Sequence, residues 1–213
     1  RLPVNIKIIL EGEEEVGSEH LDEFVRGHKN DLKADVVVIS DSPMFDRGIP
    51  SICYGLRGLT YFQIDLRGSN SDLHSGLFGG TVANPAMVLA QMLAQMRDKG
   101  GRVKIPGFYD DVRELTPEER GEWQKLPFSD RRYQKEIGAP KLFGESGYTT
   151  NERRWGRPTF EVNGLLSGFT GEGAKTVLPA LAMAKVSMRL VPDQHPDTIA
   201  QLFEDYVRKV APK

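Results

Sequence analysis

The feature that most constrains this chain is a change of hydrophobic period at Gly55–Gly58. Before it, Val4–Leu10 (VNIKIIL), Asp35–Ser40 (DVVVIS) and Ile49–Tyr54 read as three strands of continuous apolar character. Uninterrupted β-branched runs belong to parallel sheets covered on both faces. After the change, Leu59–Leu66 alternates: Phe62, Ile64 and Leu66 lie on one face, Tyr61, Gln63 and Asp65 on the other. That is a half-exposed strand of an antiparallel sheet. One chain therefore carries two kinds of layer.

Other elements follow from caps and stripes. A first helix places Leu21, Phe24, Val25 and His28 on one face, with Ser18 as its cap. Asn84-Pro85 opens a helix with the stripe Val88, Leu89, Met92, Leu93, Met96, and Gly100-Gly101 ends it. Residues 106–157 are a polar excursion of short helices with a capping box at Thr116–Glu119. Strands follow at Thr159–Val162 and Ala182–Leu190, the latter with Ala184, Val186, Met188 and Leu190 on its apolar face. A last helix begins at Pro196, with the stripe Ile199, Leu202, Phe203, Tyr206, Val207, Val210. The second part is β-α-excursion-β-β-α, helices on an antiparallel sheet.

Composition narrows the function. A formal net charge of −2 offers no basic excess for nucleic acid or an anionic membrane surface. No apolar stretch approaches the ~20 residues of a membrane helix. Cys53 is the only cysteine, so there is no internal disulfide and no thiolate zinc site; a reducing, cytoplasmic location suits that. The chain runs from Arg1-Leu2-Pro3 straight into an apolar run, as expected if it starts inside a larger fold. The expected partners are a small molecule and another protein.

Chemistry concentrates at a few places. Glu13-Glu14-Glu15 follows the first apolar run and Asp41 follows the second. Strand ends of open α/β sheets are where sites form, and two carboxylate-bearing ends suit a pair of divalent metals. The bland alternatives are a solvated loop and a turn before Pro43. His74 in Asp72-Leu73-His74-Ser75-Gly76, Thr176 in Gly173–Pro179 and Arg189 on a polar strand face are, singly, ordinary surface residues.

In order, the chain holds Glu-Gly-Glu-Glu-Glu-Val-Gly-Ser, Ser-Asp-Ser-Pro, Tyr-Gly-Leu-Arg-Gly, Asp-Leu-His-Ser-Gly, Gly-Ala-Lys-Thr-Val-Leu-Pro and Met-Arg-Leu-Val-Pro. This string resembles the dinuclear zinc peptidases that include aminoacylase, carboxypeptidase G and carnosinase. Ile105-Pro106-Gly107 and Arg154-Trp155-Gly156-Arg157-Pro158-Thr159 are similar to the carnosinase-like dipeptidase branch in particular.

The resemblance implies an α+β fold: a partial α/β catalytic domain over 1–57, then a ferredoxin-like lid or dimerisation domain over 58–213. The lid would have an antiparallel sheet and two helices, its last strand missing. It implies two divalent ions, expected to be zinc, with Glu15 a ligand of one and Asp41 of the other. Glu14 would be the general base, and His74 would stabilise the oxyanion in the partner subunit's site. Thr176 and Arg189 would hold the substrate, Arg189 through its terminal carboxylate. The family's His-x-Asp motif is expected upstream of Arg1 and its last zinc-binding His downstream of Lys213. His20, His28 and His195 match neither and are read as structural or surface residues. With two of five ligand side chains, the chain alone is expected to be an inactive fragment of a homodimeric dipeptidase. The alternatives are a dimerisation module without catalysis and an acylase acting on N-acyl amino acids.

Overall fold

The computed structural model describes residues 3–39 and 41–212, which divide into two compact units, Arg1–Cys53 and Tyr54–Lys213. In the first, Glu14–Val16 forms one 3-10 turn, followed by α1 (Leu21–Gly27) and α2 (Lys29–Leu32). Gly17 closes the turn at φ +101°, and the Ser18 amide bonds back to the Glu13 carbonyl at 2.9 Å. Ser18 itself takes φ +53°. It therefore does not cap α1 as expected; His20 occupies that position without a side-chain cap bond. The apolar stripe of α1 is also not buried, Phe24 being 45% exposed and stacked on the His28 ring at 4.3 Å.

The three strands expected in this unit are not formed among the described residues; Ser40, the last residue of the second, lies outside them. Leu10 is 91% exposed and Val38 82% exposed. A strand of a doubly covered sheet is stable only with neighbours on its edges and faces, and the described residues of this unit form no strand pairing with one another.

The second unit does supply them. It contains β1 (Gly58–Arg67), β2 (Leu73–His74), α3 (Ser75–Phe78) and α4 (Pro85–Gln95). The excursion holds α5 (Pro117–Gln124), α6 (Asp130–Glu136) and α7 (Thr150–Trp155); β3 (Thr159–Ser167), β4 (Val177–Leu178), β5 (Leu181–Leu190) and α8 (Pro196–Val210) complete it. The sheet runs β1-β5-β3, antiparallel throughout, with β5 central. First, third and second strand side by side, under two helices, is the order expected of a ferredoxin-like domain.

Alternation decides what is buried. Ala182, Ala184, Val186, Met188 and Leu190 face α4 and α8 and are buried. Leu89 from α4, Met96 just past its end, and Ile199 and Phe203 from α8 close over them, with the Phe203 ring tilted against Phe62 at 4.6 Å. Val103, Ile105 and Phe108 enter this core from the segment between α4 and α5. Asn84 caps α4 through the Ala86 amide at 2.9 Å. Leu59, Tyr61, Leu166 and Leu181 are left exposed on the sheet's other face.

The excursion is organised by charge. The capping box of α5 joins Thr116 and Glu119, and a second joins Thr149 and Glu152 on α7. Arg157, buried, donates to both oxygens of buried Glu145 at 2.8 and 2.9 Å, and Arg102 adds a third bond at 2.9 Å. The Arg157 guanidinium also lies over the Tyr148 ring at 4.2 Å. A planar fork on a carboxylate is the geometry in which a buried charge pair can be tolerated.

Candidate functional site

His74 is held by its neighbours in sequence and by a loop about a hundred residues away. β2 and β4 form a two-stranded ribbon in which His74 lies opposite Val177 and Leu73 opposite Leu178. The ribbon is clamped at both ends: the Ser75 amide donates to the Thr176 carbonyl at 3.0 Å, and the Ala180 amide donates to Asp72 Oδ1 at 2.8 Å. His74 also caps α3, its Nδ1 accepting from the Gly76 amide at 3.0 Å. A neutral ring that accepts at Nδ1 carries its proton on Nε2, and Nε2 stands 3.2 Å from Thr176 Oγ1. The exposed imidazole is thus oriented through both nitrogens. Gly76 is required for this, because a Cβ there would lie 2.8 Å from His74 Cε1.

Two residues that were separate motifs in the sequence, His74 and Thr176, therefore form one cluster. Asp72 and Gly76, which position it, had not been singled out beyond belonging to the histidine's motif; an Asx residue and a glycine flanking a capping residue were the available signal.

Arg189 belongs to a different place. It sits on the exposed face of β5, opposite Leu59 and Thr159. The ribbon holding Thr176 feeds β5 at Leu181, eight residues earlier, which is roughly 26 Å along an extended strand.

Glu14 and Glu15 lie exposed in the 3-10 turn, and Asp41 is exposed outside any element. Beside them, His20 Nδ1 bonds Glu13 at 2.9 Å, and this bond holds the Glu13 carboxyl below its ordinary value. No group of three His, Cys, Asp or Glu able to hold a metal ion occurs among the described residues. The described residues of this chain do not by themselves fit a metal centre.

Residues 54–213 match the peptidase dimerisation domain of the M20 family. The chain is 38% identical to the Cys-Gly metallodipeptidase dug1 of Schizosaccharomyces pombe over 98% of its own length and 44% of that protein's. It is 33% identical to the human Beta-Ala-His dipeptidase over 100% of its own length and 42% of that protein's. Among solved structures, an M20 family metallo-carboxypeptidase from Sulfolobus solfataricus superposes with a TM-score of 0.83 at 38% identity, covering 94% of this chain and 46% of that one. The chain spans less than half the length of each of these proteins. Among the described residues no helix is long and apolar enough to cross a membrane. From the sheet order, the helix-covered face and the match over 54–213, the chain belongs to the M20 peptidases, and residues 54–213 are their dimerisation domain.

Proposed function

We propose that this chain is part of a metal-dependent dipeptidase in which residues 54–213 pair two subunits and carry His74 and Thr176 into the partner's site. The carrying observation is the separation along β5. A dipeptide spans at most about 7 Å, yet the His74–Thr176 ribbon and Arg189 enter the strand roughly 26 Å apart. With attachment points that far apart along the strand, the two groups are read as serving different sites. A two-fold pairing of like surfaces removes the difficulty, since it sets one end of a protomer's sheet beside its partner.

In this reading Glu14 takes the proton of the attacking water and returns it to the leaving amine. The Nε2 proton of His74 turns from Thr176 to the oxyanion of the addition intermediate. Arg189 pairs with the C-terminal carboxylate, as a guanidinium fork suits. The relatives' description as metallodipeptidases supports divalent metals, two zinc ions being the proposed form, with Glu15 and Asp41 each on a different ion. The other ligands would come from the rest of a longer protein. A single cysteine fits the proposal of a cytoplasmic enzyme.

The test is subunit mixing in the full-length protein. His74→Ala and Glu14→Gln subunits, each inactive alone, should recover activity when mixed, because one site of each heterodimer regains both groups. Exchange of subunits without any recovery would refute transfer of His74 between protomers. The 213-residue chain alone is expected to pair without peptidase activity and to bind zinc weakly. Submicromolar zinc affinity in calorimetry, abolished by Glu15→Ala or Asp41→Ala, would contradict that.

A further inference from the structure

Two motifs have no part in this chemistry: Tyr54-Gly55-Leu56-Arg57-Gly58 and Arg154-Trp155-Gly156-Arg157-Pro158-Thr159. Both bring an arginine to the end of the sheet that holds Arg189. Arg189 on β5 is paired with Leu59 on β1 and with Thr159 on β3. Arg57 precedes Leu59 by two residues and stands immediately before β1 begins at Gly58, at the strand end where Leu59 pairs with Arg189. Arg154 occupies the last turn of α7, five residues before Thr159. Its guanidinium lies 5.0 Å from the Tyr133 ring centroid and 5.7 Å from that of Trp155.

Among the described residues Arg57, Arg154 and Arg189 take part in no ion pair: none has a carboxylate within 4.0 Å, whereas Arg97, Arg102, Arg113, Arg120, Arg157 and Arg208 each do. Arg57 is half-buried. Burial, and then the like charges of Arg189 and Arg154, pull its guanidinium below the ordinary value. Arginine stays charged at neutral pH nonetheless, so the three positive groups repel one another until an anion joins them.

We propose that Arg57, Arg154 and Arg189 form one anion site that takes the carboxylate end of a peptide and favours ends bearing two carboxylates over ends bearing one. The proposal rests on the reading of Arg189 as the carboxylate partner and extends it to the two other motifs. One carboxylate, even bound bidentately, compensates a single charge of three. A second, as in a C-terminal acidic residue, meets a guanidinium that is still unpaired. The excursion thereby becomes a specificity element, since Arg154 is its contribution.

The 213-residue chain is titrated with glutarate and with butyrate while the arginine Nε–Hε signals are followed by NMR. The signals of Arg57, Arg154 and Arg189 are expected to move together, and glutarate to bind about tenfold more tightly than butyrate, the worth of one added charge-assisted bond. Arg57→Gln and Arg154→Gln should each bring glutarate down towards butyrate. Arg57→Lys should recover part of the difference, and Arg67→Gln, at the far end of β1, should leave it intact. If Arg57→Gln fails to fold, the pattern of shifts in the unsubstituted chain decides. A response of Arg189 alone overturns the cluster and leaves its carboxylate role standing. No response, or an equal response that includes Arg67, overturns both.

Discussion

Val36–Ile39 in the first unit and Ala182–Leu190 in the second are both good strand sequences with opposite fates. In the first run Val36, the least exposed residue, is still 75% exposed; in the second the core-facing residues are at most 2% exposed. β5 has β1 on one edge, β3 on the other and two helices beneath it. Residues 36–39 have no strand on either edge among the described residues. The difference teaches that β-branched composition proposes a strand, while hydrogen-bonded neighbours and a covered face make one.

The strongest way to break this comparison is hydrogen exchange. Amides of Ala184–Met188 should be protected by about 10⁴-fold or more, as core strands are, and those of Val4–Leu10 and Val36–Ile39 hardly at all. Equal protection in the two units would refute the contrast. Residues 54–213 expressed alone should then keep a cooperative thermal transition; loss of that transition would mean the first unit supports the second.

Next come single substitutions. Glu145→Ala leaves the Arg157 guanidinium buried without its carboxylate and should cost about 3–5 kcal/mol in denaturant unfolding. Phe203→Ala, which removes the ring between Phe62 and Phe160, should cost about 3–4 kcal/mol. Val37→Ala in the first unit should stay within about 0.5 kcal/mol. A cost at Val37 comparable with that at Phe203 would erase the distinction between the units.

Smaller effects sharpen it. Thr116→Ala, which removes the cap of α5, should cost about 1 kcal/mol. Glu119 gives the same box a pH dependence. The Thr116 amide chiefly, and then Arg113, holds its carboxyl below the ordinary 4.5. A lowered folded value means the stabilisation is present above pH 4.5 and is lost as pH falls through the folded value. Glu119→Gln should therefore narrow the stability gap with the parent as pH drops below about 4.5. A gap that widens with acid would reverse the sign and exclude the box as its source.

Much of the dimerisation domain was legible beforehand. The alternation at Leu59–Leu66 and Ala182–Leu190, the stripe of α4, the Ile199–Val210 stripe and the Thr116 box are all local periodicities or caps, which short stretches of chain encode. The three strands expected in the first unit are not formed among its described residues, because a continuous apolar run records that a residue type tolerates burial and says nothing of which neighbours it finds. Ser18 failed as a cap for a related reason: the left-handed turn at Gly17 and Ser18 delays α1 by two residues, and turn geometry depends on the backbone rather than on the capping hydroxyl.

By itself the sequence determined which residues face inwards along β1, β5, α4 and α8, where α4, α5 and α8 begin, and, through its ordered motifs, the peptidase family. Only the tertiary structure decided that His74 and Thr176 share one ribbon through a contact across 102 residues of sequence, and that Arg189 enters the sheet at its other end, opposite Leu59 and Thr159. The physical reason is one of range. Period and capping arise from neighbours three or four residues apart, which the chain spells out directly. Strand order, register and the meeting of distant loops depend on which partner each strand finds, and that is settled only when the core closes.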